Sequence, residues 1–114
     1  MTIEQVERHC LSKREAVLDF PFGEDPVYKV GGKIFALIRR DVPSKIVVKC
    51  DPRLVPILRE VYPAVTSAPY LHKSHWNQVV LDDSIPDDEL LDMIDQSYFL
   101  VVRGLPAAVR NRLT

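Results

Sequence analysis

The chain has 114 residues and a formal net charge of −1, and 46% of its residues are hydrophobic and 27% charged. A chain of this length buries roughly two-thirds of its surface on folding, so we expect a single globular domain, 1–114, rather than a disordered chain. No apolar stretch approaches the ~20 residues of a membrane span, and the N-terminus lacks the features of a signal peptide. We therefore expect a cytoplasmic monomer with no membrane contact.

The first predicted element is a helix from about Ile3 to Leu11. Thr2 and Gln5 have the spacing of a capping box, in which each side chain accepts a hydrogen bond from the other residue's backbone. Apolar residues recur on one face of this segment, as an amphipathic helix requires. The Phe20–Gly23 segment that follows cannot continue a helix and predicts a turn.

Two apolar runs, 27–30 and 33–38, are separated by Gly31-Gly32 and predict a tight hairpin, because glycine accepts a positive φ at both turn positions. Segment 45–50 predicts a third strand. Its alternation places Lys45, Val47 and Lys49 on one face and Ile46, Val48 and Cys50 on the other. The second set is expected in the core, and the two lysines are expected in solvent.

Asp51-Pro52 has the residue types of a helix N-terminus. This second helix is expected to end near Tyr62-Pro63. Its expected buried stripe consists of Leu54, Ile57, Leu58 and Val61. Pro56 predicts an irregular first turn, since proline removes one intrahelical hydrogen bond.

Two further strands are expected near Ser67–Leu71 and Trp76–Leu81. A long helix then begins at 84–86 and ends at Gly104, and a short one covers 106–113. The order αβββαββα predicts an antiparallel sheet of about five strands with helices packed on one face, an α+β domain.

The small net charge hides a strong asymmetry along the chain. Residues 26–81 carry nine bases and three acids, which gives +6, whereas residues 82–95 carry seven acids and no base. This pattern is compatible with a two-faced surface and equally with two solvated faces.

Few residues have the spacing of a reactive or metal site. Cys10 and Cys50 stand alone and are interpreted as reduced core thiols, with a disulfide or a catalytic cysteine as the alternative. His72 and His75 have no third ligand nearby in the sequence, so no metal site is predicted. Gly31-Gly32 lacks the spacing of a phosphate-binding loop. We predict no catalytic residue and no cofactor.

Five segments occur in one order along nearly the whole chain: Phe20–Gly23, Lys29–Leu37, Lys49–Pro52, His72–Asn77 and Ile94–Tyr98. Together they resemble the MmcQ/YjbR family of small bacterial proteins. The resemblance implies a frataxin-like (CyaY-like) fold and a double-wing DNA-binding role without enzymatic activity.

The candidate DNA contacts are basic and polar side chains of the sheet, the hairpins and the stretch before the last strand. They are Lys29, Lys33, Arg39, Arg40, Lys45, Lys49, Lys73, His75, Trp76 and Asn77. Lysine contacts phosphates, and asparagine can read an adenine edge. Trp76 has two interpretations, a core anchor and a base-stacking platform.

Two other functions remain open at this point. The first alternative is a protein-interaction module, in which case the partner is another protein rather than DNA. The second is a weak divalent-metal binder that uses the acidic helix 87–95, where Asp88, Asp92 and Asp95 fall on one helical face.

Overall fold

A computed structural model of the chain describes residues 1–114. The strands are β1 (Val17–Asp19), β2 (Val27–Val30), β3 (Lys33–Arg39), β4 (Lys45–Lys49), β5 (Val65–Ser67) and β6 (Trp76–Val80). The helices are α1 (Ile3–Leu11), α2 (Val55–Val61), α3 (Asp87–Arg103) and α4 (Ala107–Leu113). None of these helices has both the length and the apolar character needed to cross a membrane.

The strands form one antiparallel sheet in the order β1-β2-β3-β4-β6-β5. The predicted α+β class is confirmed. The sheet has six strands, because β1 adds to its edge beside β2. The sequence did not predict β1, whose three residues are all exposed and carry no alternating pattern.

The predicted start of α1 is confirmed. Thr2 is the N-cap, its side chain accepts from the Gln5 N–H at 3.1 Å, and the Gln5 side chain accepts from the Thr2 N–H at 2.8 Å. Val6 and Cys10 are the buried residues of this helix. α1 is thereby fixed on the same side of the sheet as α3.

A β-bulge in the first hairpin decides which side chains of β3 point to which face. Tyr28 pairs with Ala36 and Lys29 with Ile34, so Phe35 is an extra residue without a partner in β2. Phe35 and Ala36 therefore both lie in the core beneath the helices, whereas Ile34 lies on the opposite face of the sheet.

Ser97 of α3 ties this bulge to the neighbouring strand. Its side chain is fully buried, and its hydroxyl donates to the Phe35 carbonyl at 2.6 Å and accepts from the Lys49 N–H at 2.8 Å. One polar group thus satisfies two backbone groups of the sheet, which fixes α3 across β3 and β4.

The main core lies between the sheet and the helices. Its 17 buried residues include Val6 of α1, Ile38 and Ile46 of the sheet and Ile94 of α3. Leu58 of α2 and Leu113 of α4 pack against the same cluster. All four helices therefore contribute to one face of the sheet, as predicted.

The second helix differs from the prediction in its start and in its buried side. Residues 52–54 form a turn, and α2 begins at Val55, so that Pro56 lies in the first turn, where its missing N–H is not needed. Val55 is buried, whereas Leu54, Ile57 and Val61 are about half exposed, at 47%, 51% and 59%. The predicted buried stripe is therefore wrong for these three residues.

The strand predicted at Ser67–Leu71 is also displaced. β5 ends at Ser67, and Pro69, which has no N–H to donate, cannot continue the pairing. Tyr70 adopts a left-handed backbone conformation with φ of 67°. Segment 68–75, called the crossing loop here, consequently connects β5 to β6 without adding a strand.

Removing the Ser97 hydroxyl tests its role in the sheet. Ser97→Ala leaves two backbone groups without their partner, so we expect the free energy of unfolding to fall by about 2–4 kcal/mol. Urea denaturation followed by circular dichroism measures this change.

Ser44→Ala is the matched control, because the Ser44 hydroxyl donates to the Asp41 carbonyl at the surface. This substitution should lower the free energy of unfolding by no more than about 0.5 kcal/mol. Equal losses in both variants would contradict the role of Ser97.

Candidate nucleic-acid interface

The face of the sheet opposite the helices, called the open face here, carries a second small core. Val27, Leu37, Val47 and Ala68 are buried there, and Ile34 and Trp76 pack against them. Trp76 is therefore an anchor of this cluster, in line with the first interpretation of this residue. Lys45 and Lys49 flank the buried Val47 and are half-buried rather than fully solvated.

Arg59 of α2 holds the crossing loop in place. Its Nε donates to the side-chain oxygen of Asn77 at 2.9 Å, and its terminal nitrogen donates to the carbonyls of Lys73 at 2.7 Å and Trp76 at 3.1 Å. The planar guanidinium thus fixes three acceptors at once. Arg59 orients the loop that borders the open face.

A groove at one end of the sheet collects several of the predicted basic residues. It has a volume of about 490 Å³ and is called the basic groove here. Its walls carry Lys29, Lys33, Lys49 and Trp76, and no acidic residue lines it. Lys29 pairs with Asp19 at 3.0 Å, whereas Lys33 and Lys49 take part in none of the salt bridges of the chain.

A neighbouring cavity of about 420 Å³ extends this positive surface. It shares Lys49 with the basic groove and is also lined by Arg53, His75 and Arg103. The acid in its wall, Asp51, is held by Arg53 at 2.8 Å. The hydrogen bond from the Arg53 side chain lowers the pKa of Asp51 to about 2, so this carboxylate stays ionised and paired near neutral pH.

The close approach of Leu105 to the hairpin turn brings the end of α3 to this site. A Cβ at Gly31 would lie 2.7 Å from a Leu105 methyl group and would displace it, and the φ of 57° at Gly31 also favours glycine. This contact places Arg103 near the hairpin that carries Lys33. Sequence reasoning missed Arg103, because nothing in the local pattern shows which turn the end of α3 contacts.

The other predicted basic residues lie apart from the basic groove. Lys33 and Arg39 are at opposite ends of β3, about 20 Å apart for six residues of extended chain. Lys45 is opposite Arg39 and pairs with Asp41 at 3.5 Å, and Arg40 pairs with Glu7 at 2.6 Å. Lys73 is exposed on the crossing loop. The ten predicted residues therefore do not form one continuous site.

The prediction that Asn77 contacts a base is wrong. Its side chain is only 2% exposed on the helix side of the sheet, and its oxygen already accepts from Arg59. A residue in this position cannot reach an adenine edge. The physical reason is the strand alternation, which directs Trp76 to the open face and Asn77 to the core.

The acidic segment is largely occupied by contacts within the chain. The N-terminal amine contacts Asp83 at 2.6 Å and Asp87 at 3.4 Å, and Asp95 pairs with Lys13 and with His9. Asp88 and Asp92, in contrast, line a groove between α2 and α3.

These contacts remove the basis of the metal hypothesis. Asp95 points to α1 and is separated from the other two acids of the predicted set, Asp88 and Asp92. No group of three or more His, Cys, Asp or Glu residues is arranged to hold a metal ion. The rings of His72 and His75 lie close together, with centroids 4.7 Å apart and planes tilted by 57°, and no third ligand accompanies them.

Both cysteines are buried and free. Burial raises the pKa of the Cys10 thiol to about 12 and also raises the pKa of Cys50. A thiol with a raised pKa is a poor nucleophile near neutral pH, because little thiolate is present. The interpretation of both residues as core thiols agrees with their positions.

Comparison with known proteins settles the family. The family model named YjbR matches residues 11–100. The chain belongs to the YjbR family. It is 35% identical to protein YbdF of Escherichia coli O157:H7, covering 96% of this chain and 92% of that protein. It is 30% identical to protein YjbR of Escherichia coli K12, over 99% of this chain and 98% of that protein. The predicted resemblance is thereby confirmed.

Solved structures of similar proteins share the YjbR-type fold. The crystal structure of Deinococcus radiodurans protein DR2400 superposes with a TM-score of 0.91 at 30% identity, covering 98% of this chain and 87% of that one. A Pseudomonas syringae protein superposes with a TM-score of 0.77 at 25% identity, covering 88% of this chain and 98% of that one.

Arg59 is the residue to change in order to test how the crossing loop is held. Arg59→Met keeps the length of the side chain but leaves the Asn77 amide and two carbonyls without their donor. We expect the amide protons of residues 71–76 to exchange at least about tenfold faster, since a lost hydrogen bond to a charged group is worth about 1.5–3 kcal/mol. Hydrogen-exchange NMR measures the rates.

The control for this experiment is Arg53→Met, which removes an arginine whose side chain is 88% exposed and paired only with Asp51. Loop exchange should remain at its original rate in this variant. Unchanged exchange in Arg59→Met would show that the crossing loop is held by its other contacts.

Proposed function

We propose that this YjbR-family protein binds DNA without enzymatic activity, through the basic groove and the cavity beside it. The observation that carries the proposal is the joint presence of Lys33, Lys49 and Arg103 at one end of the sheet without a pairing carboxylate. Unpaired cations are free to replace the counterions condensed on phosphates, and this exchange drives electrostatic binding to nucleic acids.

The arrangement favours contact with the DNA backbone over recognition of sequence. The proposed base contact of Asn77 is removed by its burial, and the remaining free side chains are cations that suit phosphate oxygens. The salt-paired residues Arg40 and Lys45 lie at the other end of the sheet. We therefore expect weak, sequence-independent binding that depends steeply on salt.

Neutralising the basic groove is the direct test of DNA binding. In Lys33→Gln/Lys49→Gln two phosphate contacts are lost, each contributing about −0.9 to the log–log salt slope on duplex DNA, so the slope becomes shallower by about 1.8. Fluorescence anisotropy of a labelled duplex across a salt series measures both the affinity and the slope.

Arg40→Gln/Lys45→Gln provides a control with the same change in net charge. Both residues belong to the predicted basic set but lie outside the groove and are paired with Glu7 and Asp41. Their replacement should leave the slope unchanged. The same slope change in both variants would indicate that only net charge matters, and absence of binding by the folded wild type at low salt would overturn the proposal.

A second candidate function, interaction with another protein, is favoured by the exposed side of α2. Leu54, Ile57 and Val61 form an apolar stripe there, and Phe99 of α3 is 53% exposed across the neighbouring groove. Apolar side chains clustered at a surface are typical of protein contacts. This candidate becomes the better account of the domain when the folded protein shows no affinity for the duplex.

A further inference from the structure

We propose that a pocket on the open face binds a small carboxylate that carries an apolar or aromatic body. The pocket has a volume of about 450 Å³ and is called the open-face pocket here. Pockets for small organic molecules have volumes of about 300–1,000 Å³, with mostly apolar walls and a few polar groups that fix the ligand. The open-face pocket has both properties.

The walls of the pocket come from three parts of the chain. The sheet supplies the apolar floor, the turn before β2 supplies one rim, and the crossing loop supplies the other. The apolar lining includes Phe22, Ile34, Leu37, Val47, Tyr70 and Trp76. Phe22 and Tyr70 are 64% and 100% exposed, so aromatic side chains stand at the rim while Leu37 and Val47 form the buried base.

Arg39 is the group that indicates an anionic ligand. It lines the pocket, its Nε is buried without a hydrogen-bond partner, and it belongs to none of the salt bridges of the chain. The Nε itself is enclosed and out of a ligand's reach, but a carboxylate that enters the pocket meets the terminal nitrogens of this unpaired guanidinium through charge-assisted hydrogen bonds. The lysine opposite Arg39, Lys45, is already paired with Asp41.

The other charges near the pocket favour a singly charged head group. Asp25 lines the same pocket, but its carboxylate accepts from the backbone N–H of Arg40 at 3.2 Å instead of pairing with Arg39. One free cation and one acid at the pocket suit a monoanion better than the dianion of a phosphate ester. A carboxylate therefore fits the charges, and the aromatic walls fit its apolar body.

The test uses three probes with a similar apolar body and different head groups: 3-phenylpropionate, 3-phenylpropylamine and benzyl phosphate. For a ligand of this size we expect a dissociation constant on the order of a few mM for the carboxylate. Two-dimensional NMR of the labelled protein detects such binding. The expected shifts fall on the Trp76 indole and on the Leu37 and Val47 methyl groups, and the amine leaves these signals unchanged.

Variants of Arg39 identify the group that binds the carboxylate. Arg39→Met keeps an apolar side chain of similar length and should weaken 3-phenylpropionate binding about tenfold or more. Arg39→Lys keeps the charge without the planar fork and should weaken binding of 3-phenylpropionate by less. If Arg39→Met does not fold, the loss of affinity in Arg39→Lys is the test. Arg40→Met, which changes the adjacent arginine paired with Glu7, is the matched control and should bind like the wild type.

Five results would overturn the proposal, four of them seen with bound probes. Those four are a carboxylate affinity that is unchanged in both Arg39 variants, shifts that map to the groove between α2 and α3, equal or tighter binding of the amine, and tighter binding of benzyl phosphate. The absence of shifts at the solubility limit of the carboxylate would overturn it as well.

Discussion

The bulge at Phe35, held by the Ser97 hydroxyl, is the constraint on which the rest of the structure depends. A strand alternates its side chains strictly, so one extra residue exchanges the faces of everything that follows it. The bulge puts Phe35 and Ala36 beneath the helices and still leaves Leu37 and Arg39 on the open face. Without it, Ile34 and Leu37, which are three residues apart, would not both lie on the open face. Ser97 matters because its hydroxyl bridges the Phe35 carbonyl and the Lys49 N–H, just beyond the Ala36–Val48 pair at which the β3–β4 ladder ends.

The open face also depends on a side chain from the opposite face of the sheet. Arg59 starts on α2, reaches Asn77 in the core and ends at the backbone of the crossing loop. Ala68 at the start of that loop is buried in the same cluster as Val47, and the loop forms one rim of the open-face pocket. Trp76 follows the loop directly and contributes to both the pocket and the basic groove. The helix layer and the candidate binding surfaces are consequently joined through one guanidinium.

Local signals allowed most elements to be predicted from the sequence. The capping box of α1 and the Gly31-Gly32 hairpin depend on residues close together in the chain, and both are present. The exposed side of α2 was mispredicted because two apolar stripes, one through Leu54 and one through Val55, have the same helical period. Only the position of α2 beside the short strand β5 decides between them. For the site, the sequence predicts only a set of basic residues. The length of β3 places Lys33 and Arg39 at different ends of the sheet. Ion pairs between residues distant in sequence, such as Arg40 with Glu7, then decide which cations stay unpaired.

The outer strands of the sheet have a consequence for its tendency to grow. β1 and β5 lie at the two edges and have three residues each, whereas β3 between them has seven. Exposed strand edges are templates for pairing with other chains, and short edges limit this. Beyond β1, the Phe20 N–H is already donated to the Asp19 side chain, and Pro21 has no backbone N–H. Beyond β5, Pro69 also lacks the N–H that a longer ladder would need. Each edge therefore offers an added strand only about 10 Å of backbone, which limits edge-to-edge association with other chains.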